Sequence, residues 1–166
     1  MKTFKKWLCG FFCVAILLAM VACDSGENSD HAKDYLFSHN GITVAINAEA
    51  EPILTALGTP NAYDESPSCA FEGLDKVYSY AGFRIQTYPL NGKDYIYMVY
   101  IEDDSVALTQ EGIRVGDSRA TVIEAYGEAD TATSTALIYR GKGMTLEFLL
   151  TANGTVSTIK YVRTED

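Results

Sequence analysis

One sulfur and a few carboxylates hold most of the chemistry open to this chain. Cysteines stand at Cys9, Cys13, Cys23 and Cys69, and only the last lies beyond the first 23 residues. A thiol nucleophile needs a base, and the histidines are His31 and His39. A Cys69–His39 dyad would require a tertiary contact between distant segments. A small buried cysteine is the expectation instead. Glu102-Asp103-Asp104 offers oxygen ligands of the kind calcium takes, yet the spacing fits no calcium loop. A solvated acidic turn is expected there. The chain has no phosphate-binding loop, no Gly-x-Ser-x-Gly and no paired-cysteine zinc motif. No catalytic residue, metal or cofactor is therefore expected, and the chain reads as a binder rather than an enzyme.

Tyrosine is the more telling residue. There are 11, crowded at Tyr78, Tyr80, Tyr88, Tyr95, Tyr97 and Tyr100. Tyrosine offers large rigid area with a polar tip, which suits interfaces. The run Tyr95-Ile96-Tyr97-Met98-Val99-Tyr100-Ile101 is apolar on both faces of a strand. One face should meet a helix, and the other the second copy or a partner. Tyr78, Tyr80, Tyr88, Tyr95 and Tyr97 thus form a candidate binding surface, with Cys69, Asp75 and Lys76 from the neighbouring Ser66–Lys76 loop.

An internal correspondence supplies the elements that position these residues. Phe37 and then Gly41-Ile42-Thr43-Val44 match Leu108 and then Gly112-Ile113-Arg114-Val115. Pro52-Ile53-Leu54-Thr55-Ala56-Leu57-Gly58 matches Thr121-Val122-Ile123-Glu124-Ala125-Tyr126-Gly127. Each of these reads as a short helix with one apolar face, closed by a glycine. Asp117 or Ser118 can cap the second. Alternating runs follow. Phe83–Tyr88 and Tyr95–Ile101 flank Asn91-Gly92, while Met144–Leu149 and Val156–Val162 flank Asn153-Gly154. Asn-Gly between such runs predicts hairpins, and Asn40-Gly41 predicts a third. Short strands at Val77–Tyr80 and Leu137–Arg140 would complete two sheets.

The expected fold class is α+β, a tandem repeat in which each copy is a short helix packed on an antiparallel β-sheet. The copies span residues 34–104 and 105–166. Gly58 to Asn91 is 33 residues and Gly127 to Asn153 is 26, so the first copy carries about seven extra residues around Ser66–Lys76. Extra loop length on a scaffold often carries function.

The amino terminus speaks to location. Lys2, Lys5 and Lys6 precede an uncharged run from Trp7 to Ala22, the pattern of a secretory signal over residues 1–22. Leu18-Ala19-Met20-Val21-Ala22-Cys23 resembles the bacterial lipobox, in which small or apolar residues precede a lipidated cysteine. That resemblance implies cleavage before Cys23 and fatty acyl chains, palmitate among them, on its amino-terminal end. Residues 23–33 are small and polar and read as a tether. Without the three lysines, 10 basic residues face 22 acidic ones, a net charge of −12. Such a domain is a poor match for nucleic acid or anionic headgroups. The membrane partner is expected to be reached through lipid on Cys23, at the extracytoplasmic face of the cell membrane.

Gly116-Asp117-Ser118 leading into Val122-Ile123-Glu124-Ala125-Tyr126-Gly127 and then strands resembles two groups. One is the β-lactamase inhibitory protein fold; the other is the BamE family of small outer-membrane lipoproteins. Ser68–Tyr80 looks like the corresponding run of small Firmicutes lipoproteins that carry no assigned activity. The inhibitor resemblance implies an anchored inhibitor of an envelope or secreted hydrolase, although the disulfides of those inhibitors have no counterpart here. The leading expectation is a lipid-anchored binding or scaffolding module of the cell envelope with a protein partner. Replacing the lipidated residue tests the location: Cys23→Ser should abolish metabolic labelling by a fatty-acid probe, and undiminished labelling would refute the assignment.

Overall fold

A computed structural model describes residues 33–103 and 109–165. Expectations that fall on the signal segment, on Cys23, on His31 and on Asp104 and Leu108 lie outside the described residues. In chain order the elements are β1 (Phe37–His39), β2 (Ile42–Val44), α1 (Ala50–Leu57), β3 (Ala62–Pro67), β4 (Leu74–Ser79) and β5 (Phe83–Leu90). They continue with β6 (Lys93–Ile101), α2 (Arg119–Tyr126), β7 (Thr131–Ala132), β8 (Ala136–Gly141), β9 (Met144–Leu150) and β10 (Val156–Arg163).

The turns follow from residue chemistry. Asn40 and Gly41 take φ of 50° and 79°, and Asn91 and Gly92 take 52° and 75°. Both central residues of these two-residue hairpins are left-handed, which matches the twist of the flanking strands. The third Asn-Gly behaves differently. Only Gly154 has positive φ, at 76°, and the Thr151 N–H donates to the Thr155 carbonyl across a longer turn at 2.8 Å.

The helices start and stop by local rules. The Ser118 hydroxyl accepts from the Thr121 N–H at 3.1 Å, capping α2, whereas Glu49 before α1 makes no side-chain cap. Pro52 sits within the first turn of α1, where its missing N–H costs nothing. Gly58 and Gly127 close the helices at φ 79°, ψ −161° and φ 82°, ψ −166°. That conformation is essentially confined to glycine.

The expected α+β tandem repeat of helix-on-sheet units is overturned. The chain is mostly β, with a two-stranded sheet of β1 and β2, an eight-stranded antiparallel sheet, and only two short helices of eight residues each. The large sheet runs β3-β4-β5-β6-β10-β9-β8-β7. The reason is the edge of β6. Its residues Met98, Val99, Tyr100 and Ile101 pair with Val162, Tyr161, Lys160 and Ile159 of β10, so the strands of both halves form one continuous sheet rather than two helix-covered units. Helices of two turns are too short to form a layer over eight strands. The opening segments also differ. Residues 37–44 form a hairpin, but Thr109–Ile113 is a tight turn bridged to Phe37.

One face of the sheet carries the core. Ile85, Ile96, Val99, Ile101, Leu137, Leu146, Phe148 and Ile159 are fully buried. Phe37 and Val44 from the small sheet, Ala50 from α1 and Val122 from α2 join the same cluster. The opposite face is not the second apolar layer expected from Tyr95–Ile101. Arg84, Tyr100, Lys160 and Glu147 lie side by side across four strands. The Arg84 and Lys160 charges stand 4.6 and 5.3 Å from the centre of the Tyr100 ring. That row is exposed or half-buried.

Capping and closure carry a measurable cost. Ser118→Ala should lower unfolding free energy by about 1 kcal/mol, and Gly127→Ala by about 1–3 kcal/mol, in urea denaturation. Glu49→Ala, which removes no cap, should cost less than either; equal losses at Ser118 and Glu49 would contradict this account of the helix starts.

Candidate functional site

The tyrosines expected on one surface divide between two. Side chains alternate along a strand, so register decides the face. Tyr78 lies opposite Ile85 and shares its face, as does Tyr80 two residues on. Gln86 and Tyr88 point the other way. A register shift between Gln86 and Thr87 leaves Tyr97 as an extra residue on β6, beside Tyr88 with ring centres 6.2 Å apart. Tyr95 packs against Tyr88 at 5.8 Å and bridges to Glu49, and it lines neither of the concavities described next.

The larger concavity is a groove of about 590 Å3 between α1 and β4. Tyr78 and Tyr80 line it from the sheet, and Ala50, Leu54 and Thr55 from the helix. Lys93 at the β5–β6 turn donates to Glu49 at 2.8 Å, tying the hairpin tip to the start of the helix. At the other end the Tyr80 hydroxyl reaches the Gly58 carbonyl at 3.4 Å, and the ring stacks on Phe83. Lys76 donates to Asp94 at 2.7 Å, and Asp94 lines the groove. That hydrogen bond raises the Lys76 pKa above the ordinary lysine value.

Tyr63 on the edge strand was not anticipated from the sequence. Its ring centre lies 5.1 Å from that of Tyr78, and it is 45% exposed. Its hydroxyl donates to Glu65, which pushes the phenol up to about 12. The pairing of β3 with β4 sets Tyr63 opposite Tyr78, a long-range contact that carries no local signal in the sequence.

The smaller concavity, about 170 Å3, holds Cys69, Asp75, Tyr88 and Tyr97. The extra residues of the first half are not one loop. Ser66 and Pro67 end β3, Leu74–Lys76 begin β4, and 68–73 turn between them. The turn lays Phe71 over Tyr88 with ring centres 5.0 Å apart. The Arg163 guanidinium covers both rings, at 4.9 Å from Tyr88 and 5.8 Å from Phe71. Neither Phe71 nor Arg163 was singled out by sequence reasoning.

Cys69 is exposed, which corrects the expectation of a buried thiol. The loop that carries it has no core to enter: it folds back over strand ends. His39 packs on Phe83 at 4.8 Å and does not line the cavity that holds Cys69, so the two are not brought together. Glu102, read as part of an acidic turn, is exposed and pairs with Arg84 at 2.6 Å. Among the described residues no three His, Cys, Asp or Glu side chains gather as a metal site would need. No helix among them is long and apolar enough to cross a membrane.

No protein-family model, curated protein or solved structure matches this chain.

Proposed function

We propose that this chain is a binding module of the cell envelope, held at the outer face of a membrane by lipid on Cys23, and that it engages a protein partner through the groove between α1 and β4. The observation that carries the reading is the groove itself. Its volume of about 590 Å3 falls within the roughly 300–1,000 Å3 of ordinary ligand pockets. Two tyrosines lie along its floor, and Ala50, Glu51, Leu54 and Thr55 of the helix form its wall.

Physical chemistry favours this face over the opposite one. The rings of Tyr78 and Tyr80 are half-buried, so little side-chain freedom remains to be lost when a partner covers them. Burial also raises both phenols above their ordinary pKa. By contrast, Tyr100 on the other face is already flanked by two cations. A partner would have to displace those charges from water and from one another. The polar residues 24–33 would serve as the tether between the Cys23 anchor and the folded domain.

Site-specific photo-crosslinking in cells tests the assignment. A photoreactive residue at Thr55, on the helix wall, should give a discrete adduct, and one at Tyr100 should not. Tyr78→Ala should cut the Thr55 adduct ~10-fold, the loss expected for removing an interface anchor. Equal adducts at both positions, or none at Thr55, would reject the groove as the docking site.

A further inference from the structure

The charges along the groove between α1 and β4 narrow the partner it takes. Glu51, Leu54, Thr55 and Gly58 recur at helical spacing, so one stripe of α1 and its closing residue line the groove. Glu51 stands at the head of that stripe, in the first turn, and is exposed. The groove's other carboxylates are Glu49 and Asp94, and each already accepts from a lysine, Lys93 at 2.8 Å and Lys76 at 2.7 Å. Lys93 is the one cation among the described lining residues. It feels the field of Glu51, but its hydrogen bond goes to Glu49, which leaves Glu51 as a carboxylate in excess. The helix dipole opposes that excess with roughly half a positive charge, so this end of the groove stays negative. The sheet side has the same sign. Tyr78 lies in the field of Asp94 and Glu65, offset by Lys76 alone, and β3 beside it carries Asp64 and Glu65 along an exposed edge.

On the reading of the groove as the docking face, we infer that the protein partner enters it with a basic side chain, an arginine that meets the Tyr78 and Tyr80 floor and the Glu51 carboxylate. Charge decides the class. An acidic segment would set like charges beside Glu51, and a neutral one would cover that carboxylate without answering it. Beyond residue 23 the chain has 10 basic against 22 acidic residues, a field that steers cationic partners inward. Arginine suits both surfaces of the groove. Its apolar stem covers ring area, while its guanidinium is drawn to a tyrosine face and forks onto a carboxylate. The chain already uses this combination on the opposite face of the sheet. There the Arg84 guanidinium stands 4.6 Å from the centre of the Tyr100 ring and donates to Glu102 at 2.6 Å. Size argues against a bare ion. The groove of about 590 Å3 is roughly twenty times the ~30 Å3 share of one water in the liquid. Its carboxylates also form no metal cluster among the described residues.

Titrations followed by amide NMR test the charge selection. They use chain 24–166, since residues 31–166 form one compact unit. The probes are the N-methylamides of Nα-acetyl-arginine, Nα-acetyl-glutamine and Nα-acetyl-glutamate. A fragment of this size binds at about millimolar strength, so the arginine probe at ~0.1 M should saturate shifts centred on Glu51, Tyr78 and Tyr80. The glutamine and glutamate probes should bind at least about threefold more weakly. Glu51→Gln should weaken the arginine probe about threefold, the loss expected for an exposed ion pair, and ~0.5 M sodium chloride should do the same. Glu124→Gln, an exposed position on α2, should change nothing. No saturable shift at the groove with the arginine probe would overturn the proposal. So would equal binding of the three probes, or an unchanged affinity in Glu51→Gln. The wild-type titrations decide the matter even where a variant folds poorly. A Thr55 adduct in cells with no preference among the probes strikes only the arginine, whereas a missing Thr55 adduct strikes the docking face itself.

Discussion

The pairing of β6 with β10 governs the architecture. Four residue pairs, from Ile101 with Ile159 to Met98 with Val162, join what would otherwise be two small open sheets. Each sheet alone would expose one more edge, and edges invite wrong pairing. Joined, they bury Val99, Ile101, Ile159 and Tyr161 at the centre of one continuous core. The remaining edges are blunted. β7 is two residues long, and β3 carries Asp64, Glu65 and Pro67 and is exposed throughout. Charge and proline on an edge strand discourage addition of another strand.

That constraint also explains why helices play a minor part. α1 and α2 fill space over the sheet with Ala50 and Val122 fully buried, and each ends on a glycine whose carbonyl accepts from a tyrosine hydroxyl. Tyr139 donates to Gly127 at 2.9 Å, and Tyr80 donates to Gly58 at 3.4 Å. A helix end leaves carbonyls without partners, and here a sheet tyrosine meets one of them. Several tyrosines therefore do structural work with their hydroxyls while their rings pack. Tyr126, held against Glu111, and the buried Tyr161 have phenols pushed far above the ordinary value, chiefly by desolvation. Abundance of tyrosine in the sequence thus marked the core as much as any interface.

Local signals were legible where local physics decides. Asn40-Gly41 and Asn91-Gly92 announced their hairpins because left-handed φ at both positions is demanded by a two-residue turn. Gly58 and Gly127 marked the helix ends for a similar reason. Long-range decisions were not legible. β3, reading Ala62-Tyr63-Asp64-Glu65-Ser66-Pro67, lacks the β-branched residues of a buried strand because an exposed edge does not need them. The union of the two sheets depends on which edges meet, and hydrophobic alternation is silent about that. The same holds for the tyrosines. Period two fixes which residues share a face within one strand, but the shift beside Tyr97 resets the phase between strands. One expected surface became two.

The division has a physical consequence for binding. On the α1 side the tyrosine rings form a floor beneath a helix wall, and of the charges there Lys93 pairs with Glu49 and Lys76 with Asp94, while Glu51 also lines the groove. Contact there can bury aromatic area at little cost in desolvated charge. On the other side the rings of Tyr88 and Phe71 serve to hold Arg163 in place, and the neighbouring Asp75 oxygen is shielded without a partner. The same eight strands hold both arrangements, because alternation along each strand gives two faces that need share no chemistry.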